Sequence, residues 1–289
     1  MPAAGFLPPA KGARLGAGLK TGILCAIALA AWANAAADDD NRFSASASCE
    51  LASAFLSTSG GLCDTYPVAM QTLDWRQGLG GFGYVDGYFW SVSDLHDRQR
   101  ESHRAILHCV EGAVCCGHDA ELAGDFVLRS KCGPFWSLAL GYEDAHMKCW
   151  GPIASQSLDN PYVVPYWSGL WLLEPHQSGR VAAGCRKGFS LFEGASLTAF
   201  AESVWMDHRR FSARYGGEPE EKAMLGGAVA FVVFGVRFDW SVSQNVKLSA
   251  SASQYDVVNP QARDSTRRGG RYYDKCDWPI FSVGVTYVF

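Results

Sequence analysis

The sequence predicts an all-β fold: a closed antiparallel transmembrane β-barrel of twelve strands, with short periplasmic turns and longer extracellular loops. Three observations predict it. Apolar and polar residues alternate along segment after segment, the segments are even in number with connections that alternate between short and long, and an export signal precedes a chain with no apolar helix.

The alternation is clearest at the C-terminus. "IFSVGVTYVF" places Phe281, Val283, Val285, Tyr287 and Phe289 on one face of a strand, with Ser282, Gly284 and Thr286 on the other. "FSASASCELASAF" sets Phe43, Ala45, Ala47, Cys49, Leu51 and Phe55 against Ser44, Ser46, Ser48 and Glu50. "GGAVAFVVFGVRFDWSVS" and "VKLSASASQY" repeat the pattern, the first with Val232, Phe234, Val236 and Phe238 directed to lipid. With turn residues as punctuation, strands are expected at 43–56, 67–78, 82–93, 104–118, 125–138, 149–156, 161–174, 179–190, 196–206, 226–241, 246–257 and 279–289. Pro152, Pro161 and Pro165 disfavour continuous ladders around 149–174, and ten strands is the alternative there.

The connections carry the second observation. "GLGG", "ELAG", "LDN", "FEGA" and "SQN" are short, whereas "DLHDRQRESH", "GYEDAHMK", "DHRRFSARYGGEPEEKAML" and "NPQARDSTRRGGRYYDKCDW" are long and charged, with "PHQS" the exception. Short turns at one end and long loops at the other is the asymmetry of an outer-membrane barrel.

The third lies in residues 1–35. Lys11, Arg14 and Lys20 precede an apolar run from Thr21 to Trp32 and then small residues, which reads as a signal peptide cleaved after Ala35 or Ala37. Cys25 lies behind Leu24 inside the run, which argues against lipid attachment. The barrel would then occupy 36–289 as a single domain. Loss of the three cations moves the net charge from −4 to about −7. Basic residues are scattered among acidic ones, so nothing points to nucleic acid. No later segment approaches 18 apolar residues, which excludes a helical membrane protein.

Charge along the strands then has one tolerable direction. Period-two reading turns Glu50, Asp86, Arg129, Lys131, Arg180, Arg186, Glu202, Arg237, Asp239 and Lys247 inward, where both signs share one lumen. Arg180, Arg186, Glu202, Arg237 and Asp239 form the expected constriction or solute contact. Nine cysteines remain after the signal, an odd number; strand cysteines read as small hydrophobes. Cys63 and Cys276 lie in loops beside the closing strands and are the expected disulfide.

Other constellations are weighed against ordinary structure. His176 and Ser178 have the two-residue spacing of an outer-membrane phospholipase pair, but sit in a tight loop without a nearby Asn. "WMDHRRF" joins Asp207 and His208, as in an omptin-like protease, to arginines suited to lipopolysaccharide phosphate; a solvated rim is the plainer reading. Glu218 to Lys222 lacks the spaced oxygens of a calcium loop. No catalytic residue, metal or cofactor is expected.

"DTYPVAMQTLDW", "GFGYVDGYFW", "LDNPYVVPYW", "GRVAAGCRKGFSLFEGASLTAF" and the final "VGVTYVF" together resemble the small twelve-stranded outer-membrane channels related to the nucleoside-specific channel family. The resemblance covers most of the mature chain as spacing and texture. It implies passive diffusion of small polar solutes, in some members nucleosides, and Tyr287 with the terminal Phe289 resembles the signal read by the barrel-assembly machinery. Outer-membrane lipid and lipopolysaccharide are the other expected partners. A non-transporting barrel with a structural or surface-binding role is the second reading, and a barrel enzyme the third.

Overall fold

A computed structural model describes residues 42–56, 62–64, 67–94, 108–140, 145–174, 177–215, 228–267 and 276–289. The expected signal peptide lies outside them. Twelve antiparallel strands close into a barrel: β1 (Phe43–Ala52), β4 (Val68–Gly78), β5 (Tyr84–Asp94), β6 (His108–Glu121), β7 (Val127–Leu140), β8 (Ala145–Asp159), β9 (Val164–Leu172), β10 (Ser178–Phe192), β11 (Ala195–Met206), β12 (Ala228–Ser241), β13 (Val246–Val257) and β14 (Asp277–Val288). Each pairs with its sequence neighbour, and β14 returns to β1 from Ser46↔Val288 to Ala52↔Ser282. Closure leaves no open edge, which hydrocarbon would not tolerate.

The first strand is shorter than its alternation suggests. The backbone of Ser53 donates to Phe281 O, and its hydroxyl accepts from Phe281 N, so the chain leaves the ladder after Ala52. It then forms a small hairpin, β2 (Phe55–Leu56) with β3 (Leu62–Asp64), outside the barrel wall. The prolines near 149–174 shorten one ladder without removing it. Only Ile153 to Ser157 of β8 pair with β9 (Tyr166 to Leu170), between Pro152 and Pro165, whose nitrogens carry no hydrogen. The barrel therefore has twelve strands and not ten.

Turns at one end are tight. Gly80 and Gly83 (φ 59° and 97°) shape the β4–β5 connection, and a Cβ on Gly83 would lie 2.2 Å from Gly117 O. On the opposite, loop side, two short helices follow strands. In α1 (His208–Tyr215), Asp207 caps the N-terminus by accepting from Arg210 N at 2.8 Å. In α2 (Pro260–Arg267), Asn259 accepts from Ala262 N at 3.1 Å, with Pro260 at the first helical position.

The outer face is apolar. Phe281 and Val283 are 57% and 58% exposed, and Val285, Tyr287, Phe289, Phe234 and Val236 share that face, with Val232 and Phe238 in register beside them. Exposed aromatics gather toward both ends: Trp240, Phe192, Tyr287 and Phe289 near the turns, Trp171 and Trp205 near the loops. Aromatics at both ends of an apolar band, which itself carries Phe89, Phe234 and Phe281, match a wall that meets lipid and two interfaces. Nearer the turns, Trp167 Nε1 donates to Gln156 Oε1, and Gln156 Nε2 to Ser130 Oγ, so polar outward groups on three adjacent strands are satisfied by one another.

Candidate functional site

The interior is divided into two layers. In the half nearer the loops, every strand of the barrel turns a buried residue inward, as Ala52, Val68, Val92, Ala113, Phe135, Cys149, Leu172, Ala182, Val204, Val233, Tyr255 and Ile280 do. Helix α1 adds Phe211 and α2 adds Ala262 to the largest apolar cluster, which also holds Met206, Phe231, Val257 and Cys276. Phe231 and Tyr255 pack ring to ring at 4.9 Å. The described part of the segment after β11 thus packs Phe211 against the inner face of the wall, and buried side chains line the barrel at this level.

The half nearer the turns is wet and charged. Lys131 on β7 reaches Asp86 on β5 at 3.3 Å, passing over β6, and Arg76 on β4 reaches the same carboxylate at 3.3 Å. Only the concave side brings strands two apart this close. Arg129 pairs with both Asp119 and Asp159, the latter at 2.6 Å, and Arg186 on β10 approaches Asp159 on β8 at 3.7 Å across β9. Arg76, Arg129, Lys131 and Arg186 keep between 41% and 49% of their side-chain surface exposed, so these pairs stand in water. The rings of Tyr84 and Tyr166 lie beside Arg76 and Arg186, at 3.9 and 5.8 Å.

The wall facing this ladder is smooth. Ser249, Ser251 and Ser253 of β13, Ser282 and Thr286 of β14, and Ser46 and Ser48 of β1 present small hydroxyls, and Ser251 and Ser282 share a hydrogen bond of 2.7 Å. By register, Glu50 stands opposite Gly284, and Lys247 opposite Thr286, on this wall. Arg237 and Asp239 pair along β12 at 2.9 Å.

Arg180 and Glu202 lie elsewhere. Arg180 is two residues from the loop end of β10, and its side chain, 12% exposed, is held within the dry layer 4.0 Å from Glu202. Glu111 of β6, 1% exposed, and Tyr88 of β5 act on Arg180 electrostatically across the interior. Tyr166 donates its hydroxyl to Glu202. The expected constriction set is therefore split: Arg180 and Glu202 belong to the plugged layer, while Arg186, Arg237 and Asp239 belong to the wet one. Period-two reading did not single out Arg76, Asp119, Asp159 or Glu111. Asp119 and Asp159 fell just beyond the expected strand ends, although their alternation with Arg129 was present in the sequence.

The remaining candidates have structural positions. Both carboxylate oxygens of Asp207 are used, Oδ1 by the α1 cap and Oδ2 by Gly179 N at 2.6 Å. Ser178 is buried in the β10 wall; His176 and residues 218–222 lie outside those described. Cys276 is buried and its thiol donates to Arg263 O at 3.6 Å; the side chain of Cys63, its expected partner, lies outside the described residues.

These features define a membrane-spanning β-barrel with a charged vestibule on the turn side and a layer of mostly apolar buried side chains on the loop side. No protein-family model matches the chain, and no curated protein matches it. Among solved structures it is similar in fold to an outer membrane channel from Pseudomonas putida F1 (9% identity, TM-score 0.48, covering 88% of this chain and 99% of that one). It is also similar to the KdgM porin (9%, 0.44, 85% and 99%) and to outer membrane phospholipase A from Escherichia coli (9%, 0.44, 86% and 93%).

Proposed function

We propose that this chain is an outer-membrane channel for slow passive diffusion of small polar solutes, lined at its loop-side end by buried side chains. The observation that carries the reading is the ladder of hydrated, mutually paired charges facing a hydroxyl-lined wall inside the barrel. A barrel that serves only to anchor loops has no use for a water-filled interior lined in this way. Because Arg76, Lys131, Arg129 and Arg186 are each matched by Asp86, Asp119 or Asp159, the path favours neither cations nor anions strongly. Nucleosides enter as solutes through the family resemblance alone. The short turns are assigned to the periplasm, and the C-terminal strand to recognition by the barrel-assembly machinery. Outer-membrane lipid meets the aromatic girdles, and lipopolysaccharide the loop-side rim.

A second reading, a non-transporting barrel with a structural or surface-binding role, is favoured by the ring of buried residues that fills the loop-side layer. An enzyme is disfavoured because Asp207 and Ser178 are occupied in the cap and the wall.

The test is reconstitution of the full-length mature protein in planar bilayers and liposomes. The channel reading expects small, salt-dependent conductance steps that change when Arg186 or Arg237 becomes Ala. Silent bilayers together with no solute-driven liposome swelling, in the parent and in a variant with the plug loosened at Phe211, move the assignment to the non-transporting barrel.

A further inference from the structure

Cys116 and Cys132 stand directly opposite each other on neighbouring strands, and we propose that they form an oxidisable staple between β6 and β7. Their register pairing is explicit, Cys116↔Cys132, and both are exposed thiols on the outer face. Residues directly opposite in an antiparallel pair have Cα atoms about 4.5 or 5.5 Å apart. Both separations fall within the range of about 4.4 to 6.8 Å that a disulfide spans. No other described cysteine has such a partner. Cys49 faces Gln71 and Val285, Cys185 faces Pro165 and Ala201, and Cys115 points to the opposite side of the sheet from Cys116.

The position also has a mechanical reason. Beside the cysteine pair the β6–β7 ladder is interrupted: pairing runs to Ala113↔Phe135 and resumes only at Cys116↔Cys132. Pro134 lies in the gap and has no N–H to give. Gly133 lies there too, pressed so closely on β6 that a Cβ would meet Val114 O at 1.9 Å. A covalent link at 116–132 ties the strands where backbone bonds do not.

Closure removes two protons and two electrons from the thiols and forms one S–S bond. The electrons and protons pass to an oxidant of the cell envelope, either the disulfide of a dithiol oxidoreductase, which becomes a dithiol, or dioxygen, which becomes hydrogen peroxide. A β6–β7 hairpin formed ahead of barrel closure would bring the two thiols together without access through lipid.

The reduced, folded full-length barrel in detergent is treated with copper–phenanthroline in air, an oxidant that enters micelles. Remaining thiols are alkylated, the disulfides reduced, and the newly freed thiols marked with a second alkylating label before peptide mapping. Cys116 and Cys132 are expected to carry the second label together, while Cys49 and Cys185 carry the first. In Cys116→Ser, Cys132 should move to the first label with barrel assembly unchanged. First label on both thiols of the parent overturns the proposal. So does second label on Cys132 in Cys116→Ser, which would show another partner. The readout is independent of any conductance, so failure here leaves the channel reading untouched.

Discussion

Arg180 on β10 and Glu202 on β11 stand 4.0 Å apart in a layer of mostly apolar buried side chains, where Glu111 of β6 also acts on Arg180 electrostatically. Removing one partner of a buried ion pair leaves the other charged and desolvated, a cost of about 3 to 5 kcal/mol. Arg180→Met should therefore lower the urea midpoint of unfolding sharply, and Arg180→Met combined with Glu202→Gln should recover much of the loss. An equal loss in both variants would show that packing, and not charge, sets the effect.

Phe211 is the point at which α1 enters the dry layer, and it is 1% exposed. Phe211→Ala removes a fully buried ring, a change that in cores costs about 3 to 5 kcal/mol. The cost should appear as loosening of the plug, with faster hydrogen exchange in α1 and larger conductance steps. Unchanged exchange would place the closure elsewhere.

Asp207 connects that helix to the wall. Asp207→Ala removes both the α1 cap and the bond to Gly179 N. Loss of a helix cap costs about 1 kcal/mol. Limited proteolysis should accelerate after β11, while the barrel itself keeps its resistance.

The outer face makes a sharper demand. Phe234→Arg places a cation on the lipid side of mid-strand β12, at a cost of about 2 to 4 kcal/mol near the bilayer midplane. Ser251→Arg, on the inner hydroxyl wall of neighbouring β13, should be tolerated. Comparison of assembled fraction and unfolding midpoint between the two decides whether the faces are assigned correctly.

At the C-terminus, Phe289 donates its backbone N–H to Ala45 O at 3.0 Å and packs edge-on against Tyr287 at 5.1 Å. Deleting Phe289 removes one seam bond of a closed wall, a small thermodynamic change. A large fall in the amount of barrel reaching the membrane, with normal refolding in detergent, is the result expected of an assembly signal.

The alternation that places Phe234 outside and Arg237 inside was legible because lipid and water impose opposite demands on successive residues. The dry layer was less legible, since that reading assumes the inner face is wet throughout. Its trace was nonetheless present: "AVAFVVF" in β12 and "YWSGLWLL" in β9 are apolar on both faces, as expected of a strand buried on both sides. The helices also carried signals in Asp207 and in the Asn259-Pro260 pair, but within long loops these compete with many equivalent turn residues. The Lys131–Asp86 and Arg186–Asp159 pairs depend on side chains crossing an intervening strand, and curvature of that kind leaves no period in the sequence.

The buried layer also fixes where a voltage acts. Buried side chains occur on all twelve strands at that level, and where ions are stopped there an electrical difference between the two compartments falls mainly across it, leaving the vestibule below at the potential of the turn side. Arg186 and Asp159 therefore respond to the ionic strength of one compartment. Arg180 and Glu202 sit in the steep part of the field, where moving one elementary charge across the full drop changes its energy by about 2.3 kcal/mol per 100 mV.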